Sequence, residues 1–138
     1  MSENVKSIHG TIGEDSAAAH LTEFGYNVIA RNFRVALPKI RSRTGRIARG
    51  EVDIIALDGE YIVFVEVKAR QISQTDRYGR PGRAVNSAKM EHLRLSASEF
   101  LREHPELLHL KQRIDVIEVY LHGDVVTKIL HLPTVYRK

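Results

Sequence analysis

The sequence predicts an α/β protein in which a central mixed β-sheet is flanked by helices, with the element order α-β-β-β-α-β-β. Two segments with apolar residues at helical spacing lie before and after a group of strand-like segments. Residues 62–65 are apolar at every position, which is typical of a strand buried on both faces. Glycine-containing turn signals separate the strands. This order favours helices packed around one sheet.

The first helix is predicted from about Ser7 to Phe24, and Gly25 supplies its C-terminal stop. Its apolar positions near one face are Ile8, Ile12, Ala19 and Phe24. A strand is predicted at residues 27–35, where β-branched and aromatic residues alternate with polar ones. Residues 36–49 contain proline, glycine and many basic residues, so we expect a long exposed basic loop there.

The next two strands are predicted as a hairpin, formed by residues 51–57 and 60–70. Asp58-Gly59 lies between them, and this dipeptide is preferred in two-residue turns. In the resulting register Leu57 faces Glu60. The same register places Glu51 opposite Glu66.

The second helix is predicted from about Ala84 to His104, because Pro105 marks its end. Its apolar stripe consists of Met90, Leu93, Ala97, Phe100 and Leu101. Two further strands are predicted at residues 113–122 and 125–132, joined by a turn at residues 123–124.

The length and composition exclude several classes of protein. The 138 residues suit a single domain spanning residues 1–138. The absence of cysteine excludes disulfide scaffolds, zinc ribbons, iron–sulfur clusters and cysteine nucleophiles. The longest apolar run, residues 61–65, is far too short to cross a bilayer, and the first residues lack the apolar core of a signal peptide. We therefore expect a cytoplasmic protein with no membrane partner.

The basic residues are concentrated in two stretches. The net charge is +4, and residues 31–49 contain seven Lys or Arg and no acid, while a second basic stretch covers residues 70–89. Clustered cations are typical of a protein that binds the phosphate backbone of nucleic acid. The candidate contacts are Lys39, Arg41, Arg43, Arg46, Arg49, Arg70, Arg80, Arg83 and Lys89. A solvated basic loop would have the same composition, so that alternative remains open for the first stretch.

The predicted hairpin also brings acidic residues together. Side chains on a strand alternate between the two faces of the sheet. One face of the hairpin therefore carries Glu51, Asp53, Glu66 and Lys68. Neighbouring carboxylates repel each other, and burial makes their ionised forms more costly, so Mg²⁺ would stabilise them as a ligand of carboxylate oxygens. Alternatively, these residues are ordinary charges on a solvated face.

The same residues carry a family resemblance. Residues 50–56, Gly-Glu-Val-Asp-Ile-Ile-Ala, followed by residues 64–70, Phe-Val-Glu-Val-Lys-Ala-Arg, resemble the PD-(D/E)xK nuclease superfamily. Within it, the chain resembles the YraN-like family of predicted endonucleases over about residues 9–120. Further matching segments are 9–14, 25–26, 31–34, 84–86 and 113–116, together with Ala17 and Lys89.

The resemblance implies a restriction-endonuclease-like core. It also implies a metal-dependent endonuclease that hydrolyses phosphodiester bonds in DNA or structured nucleic acid, in repair or recombination. Asp53 and Glu66 would then bind Mg²⁺, with Mn²⁺ as a substitute, and Lys68 would orient or activate the attacking water. Glu51 is expected as an auxiliary metal ligand.

The resemblance extends to both predicted helices. Glu14 matches the acid that reaches the site from the family's first helix, and Lys89 matches a lysine at the start of the second. Similar folds that resolve branched DNA act as homodimers, which suggests a homodimer by analogy. A catalytically silent nucleic-acid-binding module and a protein-interaction adaptor with the same fold are the alternative functions.

Overall fold

The computed structural model describes residues 3–41, 43–72 and 87–134, and it confirms the α/β class and the predicted element order. The elements are α1 (Glu3–Glu23), β1 (Asn27–Arg41), β2 (Ile47–Asp58), β3 (Tyr61–Gln71), α2 (Ser87–Glu103), a 3₁₀ turn (Pro105–Leu107), β4 (Lys111–His122) and β5 (Val125–Thr134). The expected start of the second helix at residues 84–86 lies outside the described residues, as do Arg80 and Arg83.

The five strands form one mixed sheet in the order β1-β2-β3-β4-β5. Strands β3 and β4 pair in parallel, and the other neighbouring pairs are antiparallel. A parallel pair requires a crossover connection, and α2 lies in the connection between β3 and β4. The central strand is β3, and residues 62–65 within it are fully buried, which confirms the prediction from their apolar run.

Each helix covers one face of the sheet. On the α2 side, the predicted stripe of α2 packs against residues such as Phe64 and Ile55, and this confirms the stripe. On the α1 side, Ala17 and Leu21 pack against Ile54 and the neighbouring strands. The two faces therefore have separate apolar cores, with the sheet between them.

The predicted apolar face of α1 is partly wrong. Ile8 and Phe24 are 52% and 67% exposed. The buried face instead contains Gly13, Ala17 and Leu21, which are spaced four residues apart and so lie on one side of the helix. A Cβ added at Gly13 would lie 3.0 Å from the Cβ of Ala69, so α1 approaches β3 through small residues.

The expected basic loop at residues 36–49 is also wrong, because most of this segment is strand. Strand β1 extends to Arg41, β2 begins at Ile47, and these two residues form the last pair of the two strands. Pro38 lies in the irregular pairing between Leu37 and Arg41. β1 is an edge strand, and it tolerates a proline because the outer side of an edge strand has no partner that needs a backbone N–H. The side chains of Lys39 and Arg49 are exposed, although both residues lie within strands.

The hairpin between β2 and β3 has a different register from the one predicted. The closing pair is Asp58 with Tyr61, so Gly59 and Glu60 form the turn. Gly59 has φ +57°, which suits the first position of a type II′ turn. A shift of two residues does not by itself change the face that a side chain takes, but it removes the predicted pairing of Glu51 with Glu66.

Candidate functional site

A pair of buried carboxyl groups lies where the β2–β3 hairpin ceases to pair. The last ladder pair is Ile54 with Val65, and the next residues along the two strands are Asp53 and Glu66. Their exposed fractions are only 8% and 6%. The backbone N–H of Val67 donates a 2.7 Å hydrogen bond to Asp53 Oδ2. We call Asp53 and Glu66 the carboxylate centre.

A break in side-chain alternation places Asp53 at this position. Val52 and Ile55 both pack in the α2-side core, although they are three residues apart, whereas Ile54 packs in the α1-side core. Strict alternation would put Val52 and Ile54 on the same face. Across the sheet, Asn32 lies between the partners of Val52 and Ile54 and has φ +55°. The irregularity therefore involves both strands, and Asp53 lies at its centre.

The surroundings of Asp53 favour its protonated form. Burial, a hydrogen bond to the Glu66 carboxyl and the negative charge of Glu66 together raise the pKa of Asp53 to about 8, against the opposing contribution of the Val67 N–H. Two carboxylates this close cannot both ionise without a neutralising cation. The carboxylate centre therefore holds a proton at neutral pH unless a cation replaces it.

Two lysines adjoin the carboxylate centre from different elements. Lys89, in the first turns of α2, places its Nζ 2.8 Å from Glu66 Oε2. Lys68, two residues beyond Glu66 on β3, has a lowered pKa because of burial and the adjacent Lys89 ammonium. Burial opposes the charge of Lys89 as well, but its contacts with Glu66 and Lys68 raise its pKa overall. Lys89 therefore carries the positive charge, and Lys68 is the more readily deprotonated amine.

Helix α2 can present Lys89 because it packs unusually close to β2. A Cβ added at Gly50 would lie 2.0 Å from Ser96 Oγ and 2.9 Å from Leu37 Cδ1, so only glycine fits here. Ser96 is itself fully buried, and its hydroxyl donates to the carbonyl of His92. This close contact between strand and helix determines how near the α2 side chains come to the carboxylates.

The carboxylate centre fits a hard divalent cation. Mg²⁺ in proteins is commonly held by one or two carboxylates, with waters and substrate phosphates completing its coordination. Glu66 Oε2 is buried, and the Lys89 ammonium lies 2.8 Å from it. A buried carboxylate oxygen in this state is a suitable cation ligand, and the proton on the pair can be displaced.

Glu51 does not join the carboxylate centre as a third ligand. Its side chain is exposed and lies 3.9 Å from Arg34 Nε. In the part of the chain that the structure describes, no group of three or more His, Asp or Glu residues is arranged to hold a metal ion. Strict alternation predicts that Glu51 and Asp53 lie on the same face of β2. The break in alternation puts them on different faces.

An open cavity of about 430 Å³ gives access to the carboxylate centre. Its polar lining consists of Arg49, Glu51, Asp53, Glu66, Lys89 and His92. His92 was not predicted as a site residue. Its spacing of three residues from Lys89 is the signal that was available, because residues three apart on a helix lie on the same side.

Glu14 lies near the carboxylate centre without lining its cavity. This half-buried side chain lies on α1, and burial raises its pKa, with Arg31 opposing and Glu51 adding to the increase. The charge of Glu14 also contributes to the raised pKa of Asp53. The structure thus places the predicted helix acid within electrostatic reach of Asp53.

The predicted nucleic-acid contacts occupy different environments. Lys39, Arg43, Arg46 and Arg49 are exposed, and Arg49 also lines the carboxylate cavity. Arg41 is the last residue of β1. Arg70 donates two hydrogen bonds, of 3.3 and 3.1 Å, to the buried carboxylate of Glu118. Arg70 is therefore anchored within the protein, whereas the cations around the β1–β2 turn face solvent.

A second cluster of ionisable groups lies at the start of β4. Arg113 donates to both carboxylate oxygens of Asp115, at 2.9 and 3.1 Å. His131 Nε2 lies 2.7 Å from Asp115 Oδ2, and Arg113 also donates to the Tyr26 hydroxyl at 2.7 Å. Asp115 is fully buried and has cationic or donor groups on both oxygens, as a structural ion pair requires.

Comparison with known proteins identifies relatives that cover this site. The family described as Uncharacterised protein family UPF0102 matches residues 13–119, a range that contains Glu14, Asp53, Glu66, Lys68 and Lys89. The UPF0102 protein STH1475 of Symbiobacterium thermophilum is 44% identical over 114 residues, which are 80% of each chain. The UPF0102 protein of Rhodococcus opacus is 42% identical over 116 residues, covering 83% of this chain and 84% of that protein.

A third relative has similar coverage. The UPF0102 protein of Acetivibrio thermocellus is 39% identical over 119 residues, covering 86% of this chain and 80% of that protein. In the described helices, there is no segment with the length and apolar character needed to cross a membrane.

Proposed function

Because this chain belongs to the UPF0102 family, the YraN-like family that its motifs resemble, we propose that it is a metal-dependent endonuclease acting on DNA or structured nucleic acid. The observation that carries the proposal is the carboxylate centre, in which two buried carboxyl groups face each other beside two lysines. A strongly raised pKa in an open cavity is a recognised indicator of a functional site.

The arrangement is difficult to explain as a purely structural one. Buried carboxylates that stabilise a fold are paired with cations or hydrogen-bond donors on both oxygens. Asp53 and Glu66 instead face one another, and a retained proton and the Lys89 ammonium relieve much of the resulting repulsion. The cavity leaves the pair accessible from solvent, so a divalent cation and a phosphate can reach it.

Each residue has a role that its surroundings support. Asp53 and Glu66 would hold Mg²⁺ or Mn²⁺, which supplies polarisation of the scissile phosphate and acidification of a bound water. Lys68, as the amine with the lowered pKa, orients the attacking water and accepts its proton. Lys89 keeps Glu66 neutralised before substrate binds and stabilises negative charge on the phosphate afterwards.

A cleavage panel tests the proposal. Single-stranded, duplex, flapped and four-way DNA, together with RNA, are incubated with Mg²⁺ or Mn²⁺ and wild-type protein, Asp53→Asn or Glu66→Gln. We expect metal-dependent cleavage of at least one substrate by wild type and none by either variant. Glu103→Gln, which makes the same chemical change at an exposed position at the end of α2, is the matched control and should cleave as wild type does. Equal cleavage by wild type and both site variants would overturn the assignment.

One observation favours a second candidate, a nucleic-acid-binding module without catalysis. The Lys89 ammonium already neutralises Glu66 at 2.8 Å, and a site that used only this internal cation would need no metal. Thermal melting with increasing Mg²⁺ or Mn²⁺ distinguishes the two, because a ligand of the folded state raises the melting temperature by mass action. A melting temperature that does not change, together with retained nucleic-acid binding, would favour the silent module.

A further inference from the structure

We propose that Arg31, Asn32 and Arg34 form a subsite that binds a backbone phosphate of the nucleic-acid substrate beside the carboxylate centre. The inference rests on the proposed function, because a subsite for a neighbouring phosphate has meaning only if nucleic acid binds there. We call these three residues the arginine subsite.

The arginine subsite opens onto its own cavity. This cavity has a volume of about 400 Å³ and is lined by Gly10, Thr11, Glu14, Arg31, Asn32 and Arg34. A Cβ added at Gly10 would meet no atom within 4 Å, so the helix wall of the cavity is open at this point. The cavity therefore has space for a group of the size of a phosphate between α1 and β1.

Both arginines are oriented by carboxylates while keeping donor capacity. Arg31 Nη2 donates to Asp15 Oδ1 at 2.7 Å, and Arg34 Nε lies 3.9 Å from Glu51 Oε1. Each guanidinium has five N–H donors in a planar fork that matches phosphate oxygens. Since each of these two ion pairs engages one nitrogen of its guanidinium, the other nitrogens of the two forks can bind a phosphate. The side chains are 37% and 67% exposed, so a ligand can reach them from solvent.

The backbone places the arginine subsite next to the carboxylate centre. Asn32 lies between Arg31, the partner of Ile54, and Phe33, the partner of Val52, which puts it across from Asp53. Adjacent strands are about 4.8 Å apart. The arginine cavity is lined by α1 and the carboxylate cavity by α2, so a substrate strand that contacts both sites would pass from one face of the sheet to the other where β2 and β3 cease to pair.

The conformation of Asn32 is a second, independent sign of function. Its φ of +55° lies in the left-handed region, and Asn32 is alone among the described non-glycine residues in having positive φ. Such outliers concentrate at ligand-binding and active sites, where the surrounding structure maintains them. The residue also interrupts the regular course of β1, between Arg31 and Arg34. The same irregularity that places Asp53 thus shapes the arginine subsite.

Charged residues connect the two sites. Glu51 lines the carboxylate cavity and pairs with Arg34, which lines the arginine cavity. Glu14 lines the arginine cavity, and its charge also acts on Asp53. A substrate that bridges the cavities would therefore meet positive guanidinium groups on one side and the cation-binding carboxylates on the other. This pattern complements a chain of phosphates with a divalent ion at one of them.

Binding without divalent metal tests the arginine subsite separately from catalysis. Fluorescence anisotropy measures the affinity of wild type and Arg31→Gln/Arg34→Gln for labelled duplex and single-stranded DNA, in EDTA, across a range of NaCl concentrations. Arg102→Gln, which removes an exposed arginine paired with Glu99 on α2, is the matched control. Losing this phosphate contact should reduce the log–log salt slope by about 0.9 on duplex DNA and by about 0.7 on single strands. Arg102→Gln should retain the wild-type slope.

The outcomes separate the subsite from the proposed nuclease activity. A reduced slope in the double variant but not in Arg102→Gln supports the subsite, whether or not wild type cleaves DNA. A wild-type slope in the double variant, or no nucleic-acid binding by wild type, overturns the subsite even if Asp53→Asn abolishes metal binding. The single variant Arg34→Gln changes the more exposed arginine, so it serves as a second test if the double variant fails to fold. It should lower the salt slope by about half as much as the double variant. The Mn²⁺-induced rise in melting temperature should be the same in wild type and both variants.

Discussion

Two buried aspartates of the same sheet, Asp53 and Asp115, have opposite surroundings. Asp115 has the bidentate Arg113 on its two oxygens and His131 at 2.7 Å, and it pairs across the sheet with Val65, the neighbour of Glu66. Asp53 faces Glu66, and the main favourable contact to its oxygens is the backbone N–H of Val67. Burial alone therefore does not indicate function. The relevant difference is whether the folded protein itself supplies the neutralising cation or leaves that task to a ligand.

The comparison predicts its largest effect for Asp115→Asn. Removing this carboxylate leaves Arg113 and His131 beside a neutral amide, and breaking a buried ion pair typically destabilises by about 3 kcal/mol or more. Urea unfolding at pH 7 should show this loss of stability, while the protein that remains folded should bind Mn²⁺ as wild type does. Lost Mn²⁺ binding with unchanged stability would contradict the structural role of Asp115.

Asp53→Asn should have the opposite effect on stability. The pKa of Asp53 is about 8 in the folded protein, compared with 3.8 for an unperturbed carboxyl. Between these values the unfolded chain has released the proton that the native state retains, so wild-type stability falls as pH rises from about 4 to 8. The variant lacks this decline, so its advantage over wild type should grow with pH and reach at least about 1 kcal/mol at pH 8.

Unfolding curves for Asp53→Asn and wild type at pH 5, 7 and 8 in EDTA measure this advantage. Glu103→Gln, at an exposed site, should show no pH-dependent difference from wild type. If Asp53→Asn were less stable than wild type by a margin that increased with pH, Asp53 would be a stabilising carboxylate like Asp115.

The smallest expected effect concerns Lys89. Its ammonium lies 2.8 Å from Glu66 Oε2 and so opposes the approach of a divalent cation to that oxygen. Lys89→Met keeps the apolar stem of the side chain and removes its charge. The apparent affinity for Mn²⁺ should therefore increase by about threefold, which is the usual size of the electrostatic effect of one partly solvated charge. Calorimetric titration measures the change.

Lys111→Met is the matched control for Lys89→Met, because Lys111 forms a similar 3.0 Å pair with the exposed Glu60 far from the carboxylate centre. It should leave Mn²⁺ affinity at the wild-type value. Weaker Mn²⁺ binding by Lys89→Met alone would mean that the lysine supports the cation site rather than competing with it.

The proximity of Asp53 and Glu66 could be predicted from the sequence although the position of the turn was wrong, because a register error of two residues does not change which face a side chain takes. The turn was assigned to Asp58-Gly59, whereas Gly59 and Glu60 form it. The two registers differ by an even number of residues, so both place Asp53 and Glu66 on one face. The partner of Glu66 was nevertheless wrong, because either dipeptide is compatible with a two-residue turn.

Other parts of the fold were missed for separate physical reasons. The buried face of α1 runs through Gly13 and Ala17, and periodicity analysis gives weight to large apolar residues instead. The basic segment 36–49 resembled a loop because its side chains are hydrophilic, yet strand formation there depends on backbone pairing at the edge of a sheet.

The α/β class, the burial of β3 and the chemical types available at the site could be predicted from the sequence, since these follow from local periodicity and residue identity. The tertiary structure alone decided that Lys89 reaches Glu66, that Glu51 remains at the rim, and that Asn32 lies across from Asp53. These contacts join residues far apart in the chain, and they depend on helix approach at Gly50 and on an irregular strand pairing that no local pattern encodes. The raised pKa of Asp53 is likewise tertiary, because it arises from burial and from the proximity of a second carboxyl group.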